Sequence, residues 1–201
     1  MNNRLNKRLL LTIALLWSVV VFYSSASNRN DSITVSSNGR LVLVKPGGRT
    51  KTLCRKLPVR DIADITFYQG KLLLLSRQGV ILTTSDYKSF QAFDFNSTYA
   101  GYYDYVIFTA IGASDKSICI AGEYSDGMPS VFESSTGTVW SERELSYRKD
   151  GETFFLQSKP INLEYDASHD RFIMGLLYSE LEYSLLPINL SLYCSSENEC
   201  F

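Results

Sequence analysis

The chain has 201 residues, which is enough for a single domain with a sizeable hydrophobic core. Its 20 basic and 21 acidic residues nearly cancel, and this balance argues against a nucleic-acid binder with a broad basic face. Charged residues make up 20% of the chain, too many for an integral membrane protein and too few for a disordered one. The composition therefore predicts a folded domain, and its 13 tyrosines favour strands.

The first 26 residues follow the pattern of an export signal. An apolar run over residues 9–23 is followed by small residues and preceded by three basic ones, Arg4, Lys7 and Arg8. This order is typical of a signal peptide, and the run is short for a membrane span. We expect residues 1–26 to form a hydrophobic helix that is cleaved, which makes the protein secreted and extracytoplasmic. The alternative is an uncleaved single-pass anchor facing outward, with membrane contact only through residues 9–23.

Beyond the signal, one pattern occurs four times. A turn is followed by a basic residue, a continuous apolar run and a second turn, and the basic residues are Arg40, Lys71, Lys116 and Arg171. Gly and Asp in the turns tolerate positive φ, so each unit is predicted to be a hairpin. Because the apolar runs are continuous rather than alternating, both faces of their strands are predicted to be buried.

A further short strand is predicted before three of these runs, at residues 61–67, 106–111 and 161–165. Three or four strands in about 45 residues is the period of a β-propeller blade. We therefore predict an all-β domain over residues 35–201, after a linker at 27–34. Its expected architecture is a partial or small propeller-like stack of three to four blades, and the alternative is a β-sandwich of the same strands.

Two units end in similar segments, at residues 84–90 and 134–140. Both segments resemble the Asp-box of the bacterial neuraminidase repeat, whose pattern is close to Ser-x-Asp-Gly-x-Thr-Trp. Tyr87 stands in place of the Gly in the first copy, and Thr136 in place of the Asp in the second. In that family the box is the turn between the third and fourth strands of a blade, with polar side chains capping the turn and an aromatic ring beneath it. The resemblance implies structural roles for Ser85, Asp86, Phe90, Ser134, Gly137 and Trp140.

The same repeat occurs in sialidases and in exported assembly factors similar to photosystem II stability factors. A sialidase needs three arginines around the substrate carboxylate, a Tyr nucleophile with a Glu partner, and an Asp acid/base. Neighbouring pairs such as Glu123-Tyr124 point to opposite faces of a strand and do not meet. The only histidine, His169, lies in a predicted hairpin turn, where a solvated residue is favoured over a Ser–His–Asp site. We predict no catalytic residue, no metal site and no cofactor, with a sialidase-like hydrolase as the alternative.

Cysteines and sequons carry expectations that depend on export. Cys194 and Cys200 enclose a short polar loop, and we expect them to form a disulfide, whereas Cys119 lies in an apolar run and is expected to be a buried thiol. The spacing of the four cysteines does not suit zinc. Asn-x-Ser/Thr sequons occur at Asn30, Asn96 and Asn189, and in a eukaryotic secreted chain they could carry glycans.

The strongest binding candidate is a tyrosine-rich segment between the second and third units. It holds four tyrosines in seven residues, Tyr99, Tyr102, Tyr103 and Tyr105. Such rings form a rigid, adhesive surface for proteins, peptides or sugars, although they could instead pack against neighbouring strands. We therefore expect a non-enzymatic exported binding or scaffold protein that recognises a protein, peptide or glycan and no nucleic acid.

Overall fold

The computed structural model describes residues 22–23, 31–149, 152–179 and 182–188. These residues form strands and one short helix, α1 (Phe95–Thr98), which confirms the all-β prediction. The chain divides into two compact units, one ending at Arg60 and the other beginning at Asp61. Sheet I, in the first unit, contains β1 (Phe22–Tyr23), β2 (Ser32–Val35), β3 (Leu41–Val44) and β4 (Thr50–Cys54).

The second unit contains two further four-stranded sheets, a three-stranded sheet and a two-stranded ribbon. Sheet II contains β5 (Ile62–Tyr68), β6 (Lys71–Ser76), β7 (Val80–Thr84) and β8 (Gln91–Asp94). Sheet III contains β9 (Val106–Ala113), β10 (Ile118–Tyr124), β11 (Pro129–Ser134) and β12 (Ser141–Arg143). The ribbon consists of β13 (Ser146–Lys149) and β14 (Glu152–Phe155), and sheet IV contains β15 (Lys159–Asp166), β16 (Arg171–Ser179) and β17 (Glu182–Ile188).

In every sheet each strand pairs antiparallel with the next strand in sequence. The predicted hairpins are the third and fourth strands of sheet I and the second and third strands of sheets II and III. The strands predicted upstream are β5, β9 and β15. Local turn chemistry explains their boundaries. Between β5 and β6, Gln69 and Gly70 have φ of 48° and 76°, and positive φ at both central residues is what a type I′ hairpin turn requires. Meanders of consecutive strands are the arrangement found in propeller blades.

A β-bulge recurs in the first strand of sheets II, III and IV. The register shifts by one residue at Ala63 in β5, at Thr109 in β9 and at Ile161 in β15. An extra residue at one place in a strand bends it and increases its twist. Sheets II, III and IV therefore share a bulge in the first half of their first strand, a similarity that the sequence does not display.

Sheet III is buried on both faces, as the continuous apolar runs predict. Alternate residues of β10 contribute to two separate clusters: Ile118 and Ile120 pack between sheets II and III, while Cys119 and Ala121 pack between sheets III and IV. The first strands of adjacent sheets also approach each other, because Gly112 of β9 leaves a Cβ position only 3.0 Å from the carbonyl oxygen of Leu163. The sheets of the second unit therefore stack face to face in chain order.

Several expectations fall at or beyond the edges of the described residues. Phe22 and Tyr23 pair with β2 as a strand, so the expected N-terminal helix does not reach the end of the apolar run; the rest of the predicted signal lies outside the described residues. β2 begins at Ser32, inside the predicted linker. The predicted Cys194–Cys200 disulfide also lies outside the described residues, and the two described cysteines, Cys54 and Cys119, are free thiols.

A candidate binding surface on the tyrosine loop

The tyrosine-rich segment, residues 99–105, connects sheet II to sheet III through α1. Asp94 caps this helix, since its carboxylate accepts hydrogen bonds from the backbone N–H and the hydroxyl of Ser97, at 3.0 and 2.8 Å. The chain then turns, with the N–H groups of Tyr102 and Tyr103 donating to the carbonyl of Tyr99. We call residues 99–105 the tyrosine loop. Its backbone is held by local hydrogen bonds rather than left extended.

Asn96 fixes the base of the tyrosine loop. Its amide nitrogen donates to the carbonyl oxygens of Gln78 and Val106, both at 2.9 Å, and its amide oxygen accepts the N–H of Val106 at 3.1 Å. The side chain thus joins the β6–β7 turn to the start of β9. Because both polar atoms of Asn96 are engaged, a glycan on this nitrogen would displace at least one of these bonds.

The aromatic cluster below the tyrosine loop decides which tyrosines face inward. Phe95 is fully buried at its centre. Tyr99 and Tyr103 pack on Phe95, with ring centroids 4.9 and 6.2 Å away, and the Tyr99 hydroxyl accepts the backbone N–H of Trp140 at 2.7 Å. Two of the four predicted binding tyrosines therefore anchor the loop to the core, which is the alternative role that the sequence left open.

The other two tyrosines are exposed. The exposed fraction is 84% for Tyr102 and 51% for Tyr105. Two aliphatic residues next to this region are also exposed: Ile107, two residues beyond Tyr105, and Val139, beside Trp140, with fractions of 39% and 68%. Exposed apolar groups presented by a fixed backbone lose little conformational freedom on binding, so this surface is suited to recognition.

The two Asp-box-like segments form matching turns between the third and fourth strands of sheets II and III. In the first, the Thr84 hydroxyl accepts from the N–H groups of Asp86 and Tyr87, and the Asp86 carboxylate accepts from Lys88 and Ser89. These last bonds lower the pKa of Asp86 to about 2. The capping hydroxyl belongs to Thr84, whereas the predicted residue, Ser85, is exposed. The prediction for Ser85 was therefore shifted by one position.

The second turn uses Ser134 and Thr136 in the same positions. The Ser134 hydroxyl accepts from the N–H groups of Thr136 and Gly137, and the Thr136 hydroxyl accepts from Thr138 and Val139. Gly137 supplies the positive φ, 79°, that Tyr87 adopts at 61° in the first turn. Trp140 is buried and donates its ring N–H to the Gly137 carbonyl, whereas Phe90 is only partly buried. The Thr136 hydroxyl thus accepts the two backbone hydrogen bonds that the Asp86 carboxylate accepts in the first turn.

A Tyr–Glu pair lies beside the tyrosine loop. The Tyr124 hydroxyl donates to the Glu142 carboxylate at 2.6 Å, across the intervening strand β11. Burial first, and then the hydrogen bond to Glu142 and the charge of Glu142, raise the pKa of Tyr124, with smaller contributions from Tyr103 and Asp104. Sequence reasoning considered only adjacent Tyr–Glu pairs and missed this one, which depends on strand pairing. Arg143 points to the opposite face of β12, where it pairs with Glu133.

Around His169 the geometry differs from that of a catalytic triad. The Ser168 hydroxyl and the Asp166 carboxylate both contact the same ring nitrogen, Nδ1, at 2.9 and 2.6 Å. A triad uses one ring nitrogen for the nucleophile and the other for the acid. The hydrogen bonds from Ser168 and His169 instead hold the pKa of Asp166 at about 2, and the group caps an exposed hairpin turn. This result agrees with the predicted solvated role of His169.

Three further findings concern the described ranges. No three His, Cys, Asp or Glu side chains within them are arranged to hold a metal ion. No helix within them combines the length and hydrophobicity of a membrane span. Burial raises the pKa of the Cys119 thiol, and this residue therefore remains a protonated, unreactive part of the core.

Comparison with known proteins assigns the chain to no family. No family model matches it, and no curated protein does. Solved structures similar to it include the β-propeller domain of Myceliophteria thermophila Cps50 (Swd1), with 12% identity over 85% of this chain and 51% of that one, and a TM-score of 0.48. Others are YCF48 bound to D1 peptide (12% identity, 79% and 61% covered, TM-score 0.43) and YCF48 from Cyanidioschyzon merolae (16%, 70% and 45%, 0.41). The chain spans about half the length of these proteins, and likeness at this level identifies neither a family nor a function.

Proposed function

We propose that the chain is an exported, non-enzymatic binding protein that recognises a peptide or a protein segment through its tyrosine loop. The observation that carries the proposal is the 84% exposure of Tyr102 on a loop whose backbone is fixed by Asn96 and Tyr99. A large ring on a rigid support contributes contact area without the entropy cost of ordering a flexible loop.

The surroundings of the loop favour a peptide over a sugar. Ile107 and Val139, which neighbour the loop and Trp140 in sequence, are further exposed aliphatic groups, and such groups fit apolar side chains, whereas sugars stack on aromatic rings. The carboxylates of Asp104 and Glu142 lie close enough to Tyr124 to raise its pKa, so the edge of the surface is acidic. We therefore expect the ligand to combine an apolar anchor with a nearby Lys or Arg.

The same proposal includes an architecture of Asp-box blades. Its support is the pair of matching turns at Thr84 and Ser134, which occupy equivalent places in two sheets. The sialidase-like alternative has less support. Tyr124 and Glu142 provide a Tyr–Glu pair, but Arg143 and Arg171 are committed to different carboxylates, Glu133 and Asp166.

Selection from a phage-displayed peptide library tests the proposed function. Peptides that pair an aromatic or aliphatic residue with a basic one should be enriched on the wild-type protein. The double variant Tyr102→Ser, Tyr105→Ser should bind them about tenfold to a hundredfold more weakly. Leu185→Ser is the matched control, because it removes another exposed apolar residue, on sheet IV. Equal binding by the double variant, or binding to a glycan array with no peptide enrichment, would exclude this function.

A further inference from the structure

The near-zero net charge of the chain hides a strong segregation of charge. Residues 31–60 contain seven Lys or Arg and a single acidic residue, Asp31. Residues 61–201 contain nine basic and 20 acidic residues. The boundary between them coincides with the boundary between the two compact units at Arg60. The first unit is therefore basic and the second acidic.

The basic residues of the first unit are exposed and share no ion pair within the described ranges. All seven are solvent-exposed: Arg40, Lys45, Arg49, Lys51, Arg55, Lys56 and Arg60. Each of the ion pairs formed by described residues lies in the second unit. The positive charge of the first unit is thus available to an external anion.

Three of these cations lie on one face of the β3–β4 hairpin. The hairpin turns through Pro46 and Gly47, and Lys45 and Arg49 face each other across it, with the N–H of Lys45 donating to the carbonyl of Arg49 at 2.8 Å. Lys51 lies opposite Leu43, two residues beyond Arg49, so its side chain points to the same face. Like charges placed opposite each other on a sheet are destabilising, and this arrangement is explained if a polyanion neutralises them.

We propose that this face, which we call the basic hairpin face (Lys45, Arg49 and Lys51), binds the anionic headgroups of a lipid bilayer. Residues 31–60 contain no aromatic residue that could stack on a base, which disfavours single-stranded nucleic acid. The apolar run over residues 9–23 belongs to the same unit and ends in β1, and an apolar segment combined with a basic patch is the usual pair of signals for membrane binding. The face accounts for three of the seven cations in residues 31–60.

Vesicle co-sedimentation of the full chain tests the proposal. The measured quantity is the ratio of affinities for phosphatidylcholine–phosphatidylserine vesicles and for pure phosphatidylcholine vesicles, because this ratio removes any contribution of residues 9–23 to both. The triple variant K45Q, R49Q, K51Q should lower the ratio by about a hundredfold, given the usual contribution of each cation near an anionic surface. Added salt should lower the wild-type ratio as well.

Matched variants separate charge from folding. The triple variant K71Q, R77Q, K88Q removes three exposed cations from the second unit and should leave the ratio unchanged. The variant K45R, R49K, K51R keeps the charges and should keep the ratio, whatever its effect on packing. A wild-type ratio near one would overturn the proposal, as would an equal loss in both glutamine variants. Tight binding to duplex DNA without preference for phosphatidylserine would assign the face to nucleic acid instead.

Discussion

Asp64 provides the sharpest test of how the second unit is held together. It follows the bulge of β5 and is buried, with one carboxylate oxygen accepting the N–H of Ile65 at 2.7 Å and the other accepting the N–H of Ile111 at 2.8 Å. The second bond crosses from sheet II to the first strand of sheet III. Burial is the largest influence on the carboxyl group and, with a smaller contribution from Glu164, raises its pKa from 3.8 to about 7 against the effect of the two hydrogen bonds.

The raised pKa sets the sign of a pH effect on stability. Between pH 3.8 and about 7, the folded protein keeps a proton on Asp64 that the unfolded chain releases. The free energy of unfolding contributed by this group therefore falls as pH rises, by about 1.4 kcal/mol per pH unit. Over the whole window the loss is on the order of 4 kcal/mol, a large fraction of the stability of a typical domain.

The perturbation is Asp64→Asn, which keeps the shape of the side chain and removes its titration. Urea unfolding at several pH values between 4 and 8 gives the free energy of unfolding for both proteins. All other titrating groups are shared, so the difference between the two free energies of unfolding isolates the titration of Asp64. The stability of the variant relative to the wild type should increase steadily as pH rises to about 7. Asp115→Asn, at an exposed aspartate, is the control and should show no such trend. Parallel curves for wild type and Asp64→Asn would refute the reasoning.

Three further predictions concern positions that shape the sheets and turns. Gly122→Ala places a Cβ 2.4 Å from the carbonyl oxygen of Ile107, so the bulge in β9 must shift. Thermal unfolding should show that the free energy of unfolding falls by roughly 2–4 kcal/mol, and an unchanged melting temperature would contradict this contact. Asn96→Ala leaves up to three backbone groups without a partner and should cost about 2–4 kcal/mol in urea unfolding, whereas retained stability would show that water replaces the side chain. Asp86→Ala should destabilise the protein at neutral pH. The difference in stability from the wild type should shrink as pH falls from 3.8 to about 2, because the hydrogen-bonded carboxylate of Asp86 is then protonated. A difference in stability that is independent of pH would argue against the capping role of Asp86.

The hairpins were predictable because their signals are local. Gly, Asp and Asn mark the turns, and continuous apolar runs between them identify strands buried on both faces, as sheet III shows. The bulges at Ala63, Thr109 and Ile161 leave no comparable signal, since a bulge is defined by the partner strand and not by the residue itself. Sequence patterns therefore locate strands more readily than their register.

The candidate site was predictable as a segment but not residue by residue. Four tyrosines mark the loop, yet whether a ring faces outward depends on the core beneath it, and here Phe95 and Trp140 hold Tyr99 inward. Tyr124 and Glu142 meet only because β10 and β12 flank the same strand. The charge balance was misleading for a different reason, because a sum over the whole chain cancels the basic first unit against the acidic second one.

The turn at Ser134 and the tyrosine loop form one supported structure. The turn ends at Trp140, and the N–H of Trp140 is bound by the hydroxyl of Tyr99, so the capping of a turn in sheet III determines where the loop from sheet II begins. Phe95 lies between them and contacts both rings, with its centroid 4.9 Å from Tyr99 and 6.3 Å from Trp140. A ligand at Tyr102 would therefore meet a surface whose position is set by two sheets at once. Such a surface binds without first being ordered, which is the condition that the proposed recognition of a peptide requires.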